Sequence, residues 1–431
     1  MVGPGDDPLR SFSDSLKLSA SARRRPYLLM TQMRTKHSFA RFATALCVLV
    51  AACEPDSNPD EALALVGGRI YPSPDAEPID NGVVLIEDGR IAFVGSRAEA
   101  ALPVSAQLID CTGQTIVAGF WNSHVHIGLD NARNLEVMLT RYGFTSVVDT
   151  GSTLDDTLEI RRAIESGVIA GPRILTAGEP LYPEDGIPYY VSGPEELVRN
   201  LPQPRTPEEA TDIVIQHIDE GADLVKLFAV SWVRREGEVG PVPMDVEVMR
   251  TAAGAAHARG RLVLAHPSTE EGVELALASG VDVLAHASEQ LPDESGTGWP
   301  PELVDRLLAS DMSFIPTLTL FDGKEHMLAQ VRAYAGRGRI LFGTDVGFVD
   351  DYESLTAEFG LMEQAGMTFS QILESLTTAP AELFGFTSSG QVAPGFDADL
   401  VVLRGDPAND VNAFADVAMT LRKGAVIYRA E

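Results

Sequence analysis

Short apolar runs punctuate this chain, and what lies between them changes twice. Residues 62–117 carry ALALVGGRIY, GVVLIEDGRIAFVG and AQLIDCTGQTIV, and Asp88-Gly89 inside the second predicts a hairpin turn. Residues 390–431 behave alike: DADLVVLRGD is followed by MTLRKGAVIY, turned at Lys423-Gly424. Between these ends the apolar runs alternate with longer segments of helical period. One strand is predicted to end at His126, and seven more lie near Thr145–Asp149, Arg173–Thr176, Leu224–Phe228, Leu262–His266, Val281–His286, Ser313–Thr317 and Ile340–Asp345. Helices are predicted over Ala132–Tyr142, Leu154–Ser166, Pro207–Glu220, Asp245–Arg259, Pro301–Ala309 and Leu355–Gln364. Another fits between His266 and His286, where STEEGVELALASG offers a Ser268 or Thr269 cap, early acids and a terminal Gly280.

Eight strands separated by helices predict an α/β fold, a (β/α)8 TIM-like barrel over residues 118–389. The β-rich ends, residues 62–117 and 390–431, are expected to form a small composite β-sandwich from the N- and C-terminal segments. Segments 178–205 and 231–243, rich in Pro, Gly, Tyr and Trp, read as long loops that shape substrate access.

The first sixty residues follow another rule. Arg34, Lys36 and Arg41 precede an apolar run from Phe42 to Ala52, and Cys53 follows. About eleven apolar residues are too few to span a bilayer but suit a signal peptide. LVAAC at 49–53 resembles a bacterial lipobox, which makes Cys53 the expected lipidation site, residues 1–52 a leader and signal peptide, and residues 53–61 a tether. Plain cleavage after Ala52 is the alternative. Translation is expected to start at Met30 or Met33, and the mature chain to be an exported lipoprotein of the bacterial periplasm or outer membrane. A net charge of −29 excludes nucleic acid as a partner and disfavours docking on anionic lipid, so membrane contact is expected only through the lipid anchor. Homo-oligomerisation stays open. Cys47 leaves with the signal, so Cys111 remains as the one free thiol, a packing residue, and no disulfide framework exists.

Candidate chemistry gathers at the strand ends. His124 and His126 are two apart in a strand, so both side chains face one way while Val125 faces the other. Lys226 lies within ADLVKLFAV; His266 closes RLVLAH, His286 closes GVDVLAH, and Asp345 closes RILFGTD. Polar groups at strand C-termini are where a barrel builds its site. The flanking Leu224, Val225, Leu227 and Phe228 make Lys226 a desolvated lysine, and burial favours its neutral amine. His217, His257, His326 and His37 read as structural or solvated.

SHVH at 123–126, GADLVKL at 221–227, AH at 265–266, LAH at 284–286, FGTD at 342–345, APAELFG at 379–385 and GQVAPGFDADLVVLRGDP at 390–407 together resemble the metal-dependent amidohydrolase superfamily, most closely its prolidase and imidazolonepropionase-like branch. The resemblance extends over roughly residues 62–431. It implies one or two divalent metal ions, zinc by preference. His124, His126 and Asp345 would hold one, His266 and His286 a second, and Lys226 would bridge them as a carbamate. With a single metal, His124, His126, His266 and Asp345 suffice and His286 contacts substrate or water. The implied reaction is hydrolysis of an amide-type carbon–nitrogen bond by a metal-activated hydroxide, Asp345 passing the proton to the leaving amine. A small-molecule amide, either a dipeptide or an N-acyl amino acid, is the expected substrate. A cyclic-amide hydrolase resembling imidazolonepropionase and a catalytically silent ligand-binding lipoprotein are the alternatives. Trp232, Arg234 and Arg235 are candidates for gripping a substrate side chain and carboxylate. Asn122 stands where relatives often carry Asp, AVSWVRREGE replaces a Ser-Gly-Gly stretch after Lys226, and Pro267-Ser268 follows His266 where relatives often place a further histidine at 268.

Overall fold

The structure is a computed structural model that describes residues 62–128, 135–191, 195–286, 298–347 and 355–431. The leader, Cys53 and the tether lie outside the described residues, as does the start of the helix expected from Ala132.

The N-terminal segment forms β1 (Leu63–Ile70), β2 (Ile79–Glu87), β3 (Arg90–Ser96), β4 (Gln107–Asp110) and β5 (Thr115–Ala118). Asp88 and Gly89 join β2 to β3 with φ of 51° and 72°, the pair of left-handed residues that a two-residue hairpin turn needs. β1 pairs antiparallel with β2 and parallel with β4 and β5.

The middle of the chain holds two parallel arcs. β6 (Phe120–Val125), β7 (Phe144–Asp149) and β8 (Arg173–Thr176) make one. The other is made by β9 (Val225–Phe228), β12 (Val263–His266), β13 (Val283–Ala285) and β14 (Ser313–Ile315). Isolated bridges Leu181–Leu227, Phe314–Ile340 and Val125–Val346 link the arcs at both sides. The expected strand Ile340–Asp345 is therefore corrected: its chain joins its neighbours only by single bridges, and Asp345 already bends away with φ of 58°. Segment 231–243 is also corrected. It is a two-stranded ribbon, β10 (Val230–Arg235) and β11 (Glu238–Pro243), turned at Glu236-Gly237 with φ of 51° and 92°.

Helices Pro207–Glu220, Pro301–Ala309 and Leu355–Gln364 form as expected. Thr269 is the cap of helix Glu270–Ser279, accepting from the Gly272 N–H, and Gly280 ends it in the left-handed region. The helix expected over Ala132–Tyr142 is shorter where described: Leu135–Met138, then a 3-10 turn at Thr140–Tyr142. Helices Glu325–Tyr334, Phe369–Leu376 and Thr378–Leu383 add to those expected from the sequence.

Strand alternation sorts the side chains of both arcs onto two faces. Val125, Val147, Val225, Leu227, Val263 and Ala265 pack in one large buried cluster together with helix residues such as Val214, Met249 and Val273. Trp121, Val148, Leu224, Leu264, Val283, Ile315 and Leu341 meet in a separate cluster, with Leu175 packed against it. Two residues on from Leu224, Leu264 and Ile315, the same face carries Lys226, His266 and Thr317. The apolar cluster is thus a floor, and the polar groups stand one layer above it.

β15 (Leu400–Leu403), β16 (Val417–Arg422) and β17 (Ala425–Arg429) return to the N-terminal strands: Leu400 to Leu403 pair with Ala118 to Thr115 of β5. Both chain ends so share one eight-stranded sheet. Cys111 packs in its core, and burial pushes its thiol up to about 11. Arg173 ties sheet to arcs, its guanidinium 3.4 Å from Asp397 and 3.5 Å from Asp399 while lying over the Phe386 ring.

Candidate metal centre

Segment 340–346 runs beside β6 and delivers Asp345 to the histidine pair. The Ser123 N–H donates to Phe342 O at 2.7 Å, the Asp345 N–H to His124 O at 2.9 Å and the His126 N–H to Val346 O at 2.7 Å. Asn122 fastens the same two segments: its amide donates to Thr344 Oγ1 at 2.7 Å and accepts from the Thr344 N–H at 3.2 Å. The amide thus both donates to and accepts from Thr344, tying segment 340–346 to β6. Gly343 and Gly347 allow the approach. A β-carbon on Gly347 would lie 2.1 Å from His126 O, and one on Gly343 3.0 Å from His124 Cβ.

Asp345 Oδ1 consequently sits 3.2 Å from His124 Nε2 and 2.8 Å from His126 Nε2, and Oδ2 is 3.9 Å from His286 Nε2. The donor atoms of His124, His126 and Asp345 lie within 4.8 Å of one another, which fits a divalent cation that takes imidazole and carboxylate ligands. His126 Nδ1 is 2.9 Å from Gly151 O, and a carbonyl only accepts, so Nδ1 carries a hydrogen and Nε2 faces the carboxylate. The ring of His286 is 4.4 Å from that of His124 and 4.7 Å from that of His266, centroid to centroid. His266 stacks on Phe228 at 4.5 Å. Lys226, 2% exposed, has its Nζ 5.9 Å from the centre of the Phe228 ring. All six sequence candidates thus lie in one neighbourhood.

Burial and mutual charge set the protonation states. Burial pulls the Lys226 ammonium down to about 7, against the opposing pull of Asp345. His124 falls to about 3 through burial and the nearby Lys226. His286 lies well below the ordinary imidazole range through burial and the neighbouring His124. Burial acts to raise Asp345, but the imidazoles of His124 and His126 outweigh it and hold the carboxyl well below its usual range. Burial acts to lower His126, and the Asp345 hydrogen bond overcomes it to raise the ring above 6.5. At neutral pH the centre is an ionised carboxylate among imidazoles, beside an amine readily made neutral.

Several contributors were invisible in the sequence. Asp149, fully buried at the end of β7, accepts from Ser152 Oγ at 2.6 Å, Thr157 Oγ1 at 2.9 Å, Thr176 Oγ1 at 2.8 Å and the Ile127 N–H at 3.2 Å. It knots three strand ends directly behind His126. Four non-glycine residues with positive φ close the later strands: Ser268 at 57°, His286 at 90°, Thr317 at 44° and Asp345 at 58°. Such conformations cost about 1–3 kcal/mol each and persist only where the surroundings enforce them. Trp232, Arg234 and Arg235 stand on β10. Arg234 is exposed with its guanidinium 5.1 Å from the Tyr189 ring, and Arg235 donates to Asp185 O at 3.3 Å. The ribbon thus leans on segment 178–205.

Comparison with known proteins places this geometry in a family. The amidohydrolase family profile matches residues 115–427. An ochratoxinase of Aspergillus niger is 24% identical over 84% of this chain and 85% of its own length. An imidazolonepropionase of a Bradyrhizobium species is 34% identical over 102 residues, 22% of this chain. A solved Xaa-Pro dipeptidase with bound methionine in its active site superposes with a TM-score of 0.74 at 22% identity, over 86% of this chain and all of that one. The phenylurea hydrolase B structure superposes at 0.69 with 21% identity, over 85% of this chain and 96% of that one. The fold is therefore of TIM-barrel type, with two parallel arcs in a mixed α/β chain. A family match over this span, with an imidazole–carboxylate cluster at its centre, leads to one conclusion: the chain belongs to the amidohydrolase family and is a hydrolase acting on carbon–nitrogen bonds.

Proposed function

We propose that the protein is a metal-dependent hydrolase of small amides, a dipeptidase or an N-acyl-amino-acid hydrolase. The observation that carries the reading is the approach of Asp345 to 3.2 Å and 2.8 Å from two imidazole nitrogens, with His266, His286 and a buried lysine around it. His124, His126 and Asp345 would hold one cation and His266 and His286 a second, the donor set preferring zinc. When bound, the cations supply Lewis acidity, making hydroxide available near pH 7 and polarising a carbonyl. Lys226 would react as its neutral amine: its nitrogen attacks the CO₂ carbon, an N–C bond forms as one C=O π bond opens onto oxygen, the nitrogen gives up one proton to solvent, and the resulting carbamate would offer the oxygen donors that an ammonium cannot. Asp345, ionised, takes a proton from the attacking water and returns it to the leaving nitrogen. Trp232, Arg234 and Arg235, on the ribbon beside segment 178–205, grip the carboxylate and side chain of an acyl amino acid.

The same reading takes the two arcs and segment 340–346 as a (β/α)8 barrel closed through the three bridges, residues 118–389, and the shared sheet as a composite sandwich of residues 62–117 and 390–431. Export, and tethering through a lipid on Cys53, rest on the sequence pattern alone.

Asp345→Asn tests the reading. With zinc-loaded protein beginning after Cys53 and a panel of dipeptides and N-acyl amino acids, turnover is expected to vanish while much of the metal stays bound. Near-normal turnover in that variant sinks the assignment. Metal binding without turnover of any amide by the unaltered protein would favour a ligand-binding barrel instead.

A further inference from the structure

Thr317 follows β14 and starts the 3-10 turn Leu318–Phe321, the place where a threonine hydroxyl usually accepts from the turn's own backbone N–H groups. Here it does not. The Thr317 hydroxyl makes no capping bond and lies 2.8 Å from His286 Nδ1 instead. The turn is capped from elsewhere. Glu358, on helix Leu355–Gln364 and 2% exposed, accepts from the Leu318 N–H at 2.9 Å, the Thr319 N–H at 2.7 Å and the Thr319 hydroxyl at 2.7 Å. Thr317 is meanwhile held at φ 44° and ψ 52°, a left-handed conformation that a β-branched side chain avoids. The same turn brings Phe321 edge-on to the His286 ring, 5.9 Å between centroids.

A strained residue with its hydroxyl released from capping, and a buried carboxylate that takes over that capping, are two halves of one arrangement. We propose that Glu358 and Thr317 are positioning residues: the Glu358 carboxylate clamps the turn, the clamp imposes the left-handed bend at Thr317, and the bend aims the hydroxyl at His286 Nδ1. The His286 ring is thereby fixed about its long axis with Nε2 directed to the Asp345 side of the centre. Ring nitrogens opposite a working nitrogen are normally oriented by a carbonyl or carboxylate, as Gly151 O does for His126. His286 receives a hydroxyl instead, and a hydroxyl needs the clamp to stay in place. The backbone strain at Thr317 is what this orientation costs the fold.

The inference rests on the hydrolase reading above, and its test is arranged to separate the two. Thr317→Gly relieves the bend and removes the hydroxyl; Thr317→Val removes only the hydroxyl; Thr317→Ser keeps it. Zinc titration of the metal-free protein, melting temperature, and kcat and KM on the panel member that the unaltered protein turns over fastest are measured for each. Thr317→Gly and Thr317→Val are expected to lose about 10–100-fold in zinc affinity or kcat, the range for lost ligand-orienting partners. Thr317→Gly should do so with a melting temperature equal to or above that of the unaltered protein, and Thr317→Ser should return within a few-fold. A merely structural role would instead move the melting temperature and leave zinc affinity and kcat alone. Glu358→Gln, which presents an amide to backbone donors, should reproduce Thr317→Val. Unaltered zinc affinity and kcat in both Thr317→Val and Thr317→Gly overturn the proposal. If Asp345→Asn is inactive in the same series, only the positioning inference falls; if Asp345→Asn is active, the hydrolase reading falls first.

Discussion

Replacing Lys226 by methionine should stabilise the metal-free protein, and by an amount that depends on pH in a fixed way. Lys226 is 2% exposed, and burial pulls its ammonium from 10.5 down to about 7. Every tenfold change in an acid dissociation constant corresponds to about 1.4 kcal/mol, so holding the charged form inside the fold costs about 5 kcal/mol below pH 7. In the unfolded chain the amine keeps its proton up to its ordinary value of about 10.4. Between about 7 and 10.5 the unfolded state binds the extra proton, so stability rises with pH through that window. Methionine, close in length and without a charge, removes the cost. The expected gain of Lys226→Met is about 4 kcal/mol at pH 7, shrinking toward zero by about pH 10.5. Urea unfolding of both proteins, stripped of metal and CO₂, at pH 7 and pH 10 measures it. A stability difference equal at the two pH values, or a variant less stable at pH 7, refutes the claim that Lys226 is neutral through desolvation. The route to a carbamate would fail with it. Addition of bicarbonate and zinc should reverse the ranking, since only the lysine can then gain a ligand.

Three further outcomes follow from the same geometry. Zinc binding should release protons near pH 6, because His126 is raised above 6.5 by Asp345 and must present a bare Nε2 to a metal; affinity then falls as pH drops. Calorimetric titration in two buffers of different ionisation enthalpy reads the proton count, and zero release at pH 6 contradicts the assignment. Gly347→Ala should lose about 2 kcal/mol or more of stability along with the metal, since its β-carbon would stand 2.1 Å from His126 O at φ of 96°; denaturant unfolding with zinc analysis checks both, and wild-type values would show that segment 340–346 can move aside. Arg234→Ala and Arg235→Ala should raise KM for N-acyl amino acids while kcat holds, and a fall in kcat at constant KM would remove them from substrate binding.

Much of this protein could be read from local pattern. The hairpins at Asp88-Gly89 and Lys423-Gly424 formed because left-handed turns select for such pairs, and Pro207–Glu220 formed because Thr206, Pro207 and Gly221 punctuate it. Where pattern misled, a contact or an exposed edge had the last word. Segment 231–243 reads as a Pro- and Gly-rich loop, yet both strands of a two-stranded ribbon are edges, where the missing N–H of Pro241 and Pro243 is tolerated. Ile340–Asp345 opens on an apolar run like a strand but gains only single bridges, because it bends at Asp345 to meet β6.

The sequence by itself determined which residue types could hold a metal and, through a period of two, that His124 and His126 face one way while Val125 faces the other. Only the tertiary structure decided how these groups are held. Asn122 bonds Thr344 across 222 positions, and Glu358 caps the turn at Leu318, 40 positions before it, which frees Thr317 for His286. The physical reason is that periodicity is enforced by neighbours along the chain. The orientation of an imidazole, the bend at a strand end and the proton on a buried lysine are set by groups that only folding brings within reach.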